Sequence, residues 1–101
     1  SQRRQAELAA RRARDLAEEE VRVAWEGYER ASRALAATAN EVSLAEENLR
    51  LAQEGLDAGS TTWLEVEDAR LGLLQAQLSA LNERVGRDLA AVDLQLASGL
   101  L

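Results

Sequence analysis

The chain has no cysteine, histidine, proline, methionine or phenylalanine, and two tryptophans and one tyrosine are its only aromatic residues. Without thiols and imidazoles, thiolate chemistry, imidazole bases and the usual zinc ligand sets are excluded. Without proline, no stretch carries the residue that most strongly breaks a helix. So few large side chains in 101 residues favour long helices packed through narrow seams over a thick globular core.

Charge is also one-sided. The 12 basic residues are all arginine, 18 residues are acidic, and the formal net charge is −6. An excess of negative charge argues against a nucleic-acid groove, which needs cations to neutralise phosphate. No run of about 18 uncharged apolar residues exists, so no helix that spans a bilayer is expected. The charged helical pattern is already under way at 1–4, and we interpret the chain as a fragment of a larger protein.

Alanine and leucine supply most of the apolar residues, and they are strong helix formers. From position 21 the apolar residues alternate steps of three and four, which is the heptad pattern of a coiled-coil seam. Large and small members alternate, so a partner helix can approach closely opposite the small ones. This first stripe consists of Val21, Ala24, Tyr28, Ala31, Leu35, Thr38, Val42, Ala45, Leu49, Ala52 and Leu56.

A second stripe follows in the other half of the chain: Leu64, Leu71, Leu74, Leu78, Leu81, Val85, Leu89, Val92 and Leu96. If the chain reverses near residue 60, the stripes pair as Leu56/Leu64, Leu49/Leu71, Val42/Leu78, Leu35/Val85 and Tyr28/Val92. Residues 1 to about 18 then have no partner, because Leu101 falls near position 19. The sequence predicts one all-α domain over 1–101, an antiparallel two-helix coiled-coil hairpin with helices over 2–57 and 63–99 and a turn at 58–62.

Both predicted helices carry additional apolar residues outside these stripes. A two-helix hairpin buries one seam per helix, so we expect the additional residues to point away and to pack against lateral neighbours. In the second helix they are Val66, Leu73, Ala76, Ala80, Leu94 and Ala97, and in the first Val23, Trp25, Ala37, Leu44 and Leu51.

The turn has the residues that end one helix and begin another. Gly59 suits a left-handed helix C-cap, and Ser60, Thr61 or Thr62 can each accept an N–H at the start of the next helix. Thr62 with Glu65 fits a capping box. Any tight helical turn favours these residues, so they require no function by themselves.

The flanks of the turn are acidic. Between Glu41 and Asp68 there are eight carboxylates and one arginine, Arg50, and Glu65 and Asp68 share a helical face near the turn. Neither carboxylate has a convergent pocket or a nearby nucleophile in the pattern, so we expect no enzyme activity and no cofactor or metal.

The segment from Gly59 to Ala69, Gly-Ser-Thr-Thr-Trp-Leu-Glu-Val-Glu-Asp-Ala, resembles the periplasmic-tip motif of TolC-type outer-membrane efflux proteins. In that family a glycine turn precedes an acidic residue, a valine and a small residue on the ascending helix. Upstream, 21–25 resembles the point where the family's descending helix enters the hairpin, and 97–99 resembles the end of the ascending helix. The landmarks keep the family's spacing without gaps.

The resemblance implies one helical hairpin from the periplasmic tunnel of a homotrimeric duct in a Gram-negative outer membrane. It implies that Gly59, Ser60, Thr61 and Thr62 form the tip that docks a periplasmic adaptor protein, which links the duct to an inner-membrane pump. It also implies that Glu65 and Asp68, repeated by three-fold symmetry, line the tunnel entrance and favour cations.

Two positions depart from the family pattern: Leu56 stands where an aromatic residue can precede the glycine, and Thr61 where a basic residue can follow it. Those side chains help to latch the entrance, so we expect gating here to depend on packing. An alternative reading is a structural hairpin of an adaptor or an unrelated scaffold. Adaptor tips share a spaced Arg, Leu, Ser pattern, and counting from Arg50 this chain has Asp57 at the leucine position, which disfavours the adaptor.

Overall fold

The chain folds into two long helices that run antiparallel. A computed structural model describes residues 1–99, in which α1 spans Gln2–Ala58 and α2 spans Trp63–Ala97. A helix of 57 residues is about 86 Å long at 1.5 Å per residue. The molecule measures 86 × 17 × 16 Å, so α1 sets its length. The predicted all-α hairpin is confirmed, and the expected position of Leu101 lies outside the described residues.

The helix ends agree with the sequence within two residues. Ser1 caps α1, since its Oγ accepts the Arg4 N–H at 3.2 Å. At the far end, α2 stops at Ala97, two residues before the predicted end, and Gly99 has the positive φ of 79°. Neither α1 nor α2 has a stretch apolar enough to cross a membrane.

The face of α1 that packs on α2 is the predicted one. Its first stripe is half-buried from Val21 to Ala52, while Leu56 at the end is exposed. Thr38 is the most enclosed member, with 4% of its surface exposed, and its hydroxyl donates to the Leu35 carbonyl at 2.5 Å. This bond satisfies the one buried side-chain hydroxyl of the seam.

The face that α2 turns toward α1 is not the predicted one. Val66, expected to point outward, is 3% exposed, whereas Leu64 is 62% and Leu71 53% exposed. The inward positions alternate steps of three and four: Val66, Ala69, Leu73, Ala76, Ala80, Glu83, Arg87, Ala90, Leu94 and Ala97. The nine residues predicted for the seam instead form an exposed outer leucine stripe, consisting of Leu64, Leu71, Leu74, Leu78, Leu81, Val85, Leu89, Val92 and Leu96.

The burial pattern gives a register two residues from the predicted one. Ala69 takes the place opposite Leu49 that was predicted for Leu71, and Ala76 the place opposite Val42 predicted for Leu78. In the same register Thr38 meets Ala80 and Val21 meets Ala97, and each of these two pairs lines a common groove. Two residues advance a helix by about 3 Å but rotate it by about 200°, so a small shift exchanges its two faces.

In this register nearly every layer places a small residue opposite a large one. Alanine or threonine on one helix faces a larger side chain on the other, or an alanine faces a threonine, which lets the axes approach closely. The layers run Ala52/Val66, Leu49/Ala69, Ala45/Leu73, Val42/Ala76, Thr38/Ala80, Tyr28/Ala90, Ala24/Leu94 and Val21/Ala97. The exception lies at mid-length, where Leu35 faces Glu83 and neither side chain is small. In the next layer Ala31 faces Arg87, so the size rule holds there but the larger side chain is charged.

The first part of α1 extends beyond α2. All residues from 1 to 20 are exposed, which agrees with the expectation that residues 1 to about 18 have no partner in the second helix, except that Arg14 and the residues after it border grooves that α2 also lines. This part of α1 remains helical, with an Arg3–Glu7 ion pair at 3.6 Å and Arg22 bonded to both Glu19 and Glu26 near the start of the seam. Such exposed pairs one turn apart support the helix only weakly, because solvent screens them.

Candidate functional site at the hairpin tip

The turn at the tip is a Schellman motif built around Gly59. Gly59 has φ 80° and ψ 11°, which is the left-handed conformation predicted for it. The Ser60 N–H donates to the Gly55 carbonyl at 2.7 Å, and the Gly59 N–H donates to the Leu56 carbonyl at 3.1 Å. These two bonds are the pair that defines the motif, and they satisfy carbonyls that the end of α1 would otherwise leave free.

Gly55 is a second glycine that the turn requires, and the sequence analysis did not identify it. A Cβ on Gly55 would lie 2.5 Å from Cγ2 and 2.9 Å from Oγ1 of Thr61, so the chain folds back directly over this position. Thr61 is held there by its hydroxyl, which donates to the Ala52 carbonyl at 2.7 Å. The signal in the sequence was a helical glycine one turn before the C-cap glycine.

Thr62 begins α2 as predicted. Its backbone is extended, with φ −97° and ψ 160°, and its Oγ1 accepts the Glu65 N–H at 3.2 Å. This is the first half of the predicted capping box. The second half, in which the Thr62 N–H would donate to the Glu65 carboxylate, is absent from the hydrogen bonds of residues 1–99. The cap fixes the angle at which the chain enters α2.

The four predicted docking residues are adjacent but not equally accessible. Gly59, Ser60 and Thr62 are exposed at the end of the rod, while Thr61 is half-buried and its hydroxyl is used inside the turn. The Ser60 hydroxyl donates to the Gly55 carbonyl at 3.2 Å and stays exposed. The surface offered to a partner therefore consists of backbone and two small hydroxyl side chains, with Trp63 largely exposed beside them.

Glu65 and Asp68 both lie exposed on the first turns of α2. Neither takes part in an ion pair within residues 1–99, and nor does Asp57 at the end of α1. Glu67 differs, because its carboxylate is 3.5 Å from Arg70 Nε. Across the described residues, no three carboxylates converge in a way that could hold a metal ion.

The one arginine of the acidic flank is fully engaged. Arg50 bonds Glu47 one turn before it and Glu54 at 2.6 Å one turn after it. The hydrogen bond from the Arg50 guanidinium lowers the pKa of the Glu47 carboxyl below its ordinary value, and the two carboxylates raise the pKa of Arg50. Arg50 therefore leaves the carboxylates nearer the turn without a positive neighbour on α1.

A shallow groove of about 840 Å³ follows the seam at mid-length, between 35–42 on α1 and 77–87 on α2. Thr38 lies along it, but its hydroxyl is already bonded to Leu35. Arg84 and Arg87 also border it, and Arg87 lies 3.2 Å from the Asp88 carboxylate. Apart from the Thr38 hydroxyl, the groove is lined by apolar side chains, Gln77 and these two arginines.

Comparison of the chain with protein-family models, with curated proteins and with solved structures finds no match.

Proposed function

We propose that this chain is one helical hairpin from the periplasmic tunnel of a TolC-type trimeric outer-membrane duct, whose tip docks an adaptor protein during export. The observation that carries the proposal is the pairing of an exposed, rigid glycine tip with outer faces that remain apolar along a rod of 86 Å. A tunnel wall needs both features: long rods that adhere side by side, and ends that meet a partner.

The apolar outer faces support the wall. The outer leucine stripe points away from α1, and Val23, Leu44 and Leu51 are half or more exposed on α1. Contiguous apolar surfaces of this length are unusual on an isolated soluble molecule and mark contact with neighbours. In a closed ring, the outer leucine stripe of one hairpin would pack against α1 of the next.

The tip supports docking by its rigidity and its small side chains. Three interactions fix the turn before any partner arrives: the Schellman bonds to Gly55 and Leu56, and the Thr61 bond to Ala52. A preorganised turn loses little conformational entropy on binding. The surface that meets the adaptor is proposed to be Gly59, Ser60 and Thr62, with Thr61 acting from inside as the residue that shapes it.

Glu65 and Asp68 support a cation-selective entrance. Each is exposed, lies within about two turns of the tip and has no ion pair within residues 1–99. Three-fold repetition would bring these carboxylates into a ring, which concentrates cations and repels anions.

Docking is tested in the full-length protein with Ser60→Trp, which adds bulk at the exposed tip where the backbone φ is ordinary. Adaptor-dependent export should fall while the trimer still assembles, because the hairpin seam is untouched. Asn40→Trp, at an exposed position of α1 away from the turn, is the matched control and should export normally. Normal export by Ser60→Trp would remove the docking claim, and equal losses in both variants would point to a scaffold role.

The entrance is tested by Glu65→Gln with Asp68→Asn in single-channel recordings of the full-length protein. Cation selectivity and block by divalent cations should both decrease. Glu41→Gln with Glu46→Gln removes the same two charges from exposed sites far from the tip and should leave the recordings unchanged. Identical traces for the tip and control variants would contradict the ring.

A further inference from the structure

The outer leucine stripe reads the same in both directions over most of its length. From Leu71 to Val92 the steps between large side chains are three, four, seven, four and three when Leu81 at the centre is set aside. A stripe with this symmetry is complementary to a reversed copy of itself. Such self-complementarity is what a two-fold contact between identical chains requires.

We propose that the outer leucine stripe is a homodimerisation surface of this chain, on which α2 of one copy packs antiparallel to α2 of a second copy. The two-fold axis passes beside Leu81. The proposal concerns the 101-residue chain and does not depend on the proposed duct, in which the same stripe would face α1 of a neighbour.

The reversed register matches leucine or valine with leucine or valine at six of the seven positions from Leu71 to Val92. The exception is Leu81, which falls opposite Asn82 of the partner subunit, so that Leu81 of the partner subunit is offset by one residue across the axis. Beyond them the match ends, because Leu96 would fall opposite the partner's Glu67. The layers on each side of the axis are Leu78/Val85, Leu74/Leu89 and Leu71/Val92.

Charge around the stripe favours contact between copies. Although the chain has a net charge of −6, residues 71–92 contain two arginines and two acidic residues and are neutral overall. The first twelve of them, Leu71 to Asn82, contain no charged residue. In an antiparallel pair the uncharged first half of one copy lies opposite the charged second half of the other, so the two copies do not bring like charges directly together.

The stripe offers a second copy a continuous apolar surface. The seven side chains from Leu71 to Val92 are each about half exposed, between 44% and 62%. A contact along this one helix face is small, since a standard interface buries about 800 Å² per partner. The inner seam of α2, by contrast, holds only Val66, Leu73 and Leu94 as large apolar residues.

The mass of the chain in solution tests the dimer. A chain of 11.0 kDa should sediment with twice that mass at micromolar concentration. Leu78→Asp places two charges in the interface of each dimer and should weaken dimerisation roughly hundredfold or more. Leu64→Asp, outside the symmetric part of the stripe, should weaken it less than tenfold, with helix content by circular dichroism equal in both variants.

Cross-linking tests the orientation, since the chain has no native cysteine. Leu81→Cys should form a disulfide-linked dimer on oxidation, whereas Leu71→Cys should link only when mixed with Val92→Cys. A monomer at all concentrations, a dimer unaffected by Leu78→Asp, or efficient self-linking of Leu71→Cys would each overturn the proposal. Assembly that is lost in Leu44→Asp and retained in Leu78→Asp would overturn it too, in favour of contacts through α1.

Discussion

Thr61 fills the space at the tip that a side chain on Gly55 would need: a Cβ on Gly55 would lie 2.5 Å from Cγ2 of Thr61. Thr61 cannot easily move aside, because its hydroxyl bonds the Ala52 carbonyl at 2.7 Å and a β-branched side chain has few rotamers. The absent side chain at Gly55 therefore allows the returning chain to cross over the last turn of α1.

Gly55→Ala should destabilise the hairpin even though alanine is the better helix former. The clash and the lost Thr61 bond should outweigh a helix-propensity gain of about 1 kcal/mol. In a Thr61→Ala background both Thr61 atoms are gone and only Ser60 Oγ, at 3.1 Å from the added Cβ, stays close, so Gly55→Ala should become much less destabilising or neutral. Urea unfolding of the two single variants and the double variant measures this coupling. Equal effects of Gly55→Ala in both backgrounds would show that the two residues do not interact.

Gly59→Ala should lower the free energy of unfolding by about 1–2 kcal/mol, because φ of 80° is strained for a residue with a Cβ. Gly86 is the control: it is helical, and a Cβ there meets nothing within 4 Å. Gly86→Ala should stabilise by up to about 1 kcal/mol. Thermal unfolding of both variants provides the comparison, and a stabilising Gly59→Ala would be inconsistent with the left-handed cap.

Leu73→Ala and Leu71→Ala make the same chemical change on opposite faces of α2. Leu73 is half-buried against α1, and its loss should cost about 1–3 kcal/mol, whereas loss of the exposed Leu71 should cost less than about 0.5 kcal/mol. Unfolding should be measured at concentrations low enough for the chain to be monomeric. The reverse order of costs would restore the register in which Leu71 faces Leu49.

The pKa of the Glu47 carboxyl should be below its ordinary value of 4.5 because Arg50 donates a hydrogen bond to it. A lowered pKa in the folded state means that this pair stabilises the helix above pH 4.5, and that the contribution is lost as the pH falls through the folded pKa. NMR titration should show the pKa rising toward 4.5 in Arg50→Gln. No change in that variant would exclude the pair as the cause.

Much of the fold was available from the sequence. The reversal at Gly59, the Thr62 cap, the helix limits and the inward face of α1 follow from local chemistry and from one uninterrupted heptad pattern. Gly55 was missed because its requirement comes from Thr61, a residue that reaches it only after the chain has turned.

The prediction of which face of α2 packs against α1 was wrong for a specific physical reason. Two stripes with helical spacing run along opposite sides of α2, and the larger side chains, such as Leu71 and Leu78, were assigned to the seam. In this hairpin the face of α2 with the smaller side chains packs inward, which lets the two helix axes approach closely. In the register given by the burial pattern, Ala69 and Ala76 lie opposite Leu49 and Val42. Hydrophobicity alone cannot choose between the faces, since the choice depends on side-chain volume matched layer by layer across both helices.

The part of α1 that precedes the seam provides a reference, within the same molecule, for hydrogen exchange in a helix that has no second helix beside it. Residues 2–13 are helical and exposed, and they precede the residues that border grooves shared with α2, so their amide protons should exchange at rates governed by the helix–coil equilibrium of a single peptide. Amides from Val21 to Ala52 belong to the same continuous helix and differ by having α2 alongside. The ratio of the amide protection factors in the two stretches would thus measure, within one spectrum, how much packing against α2 stabilises α1.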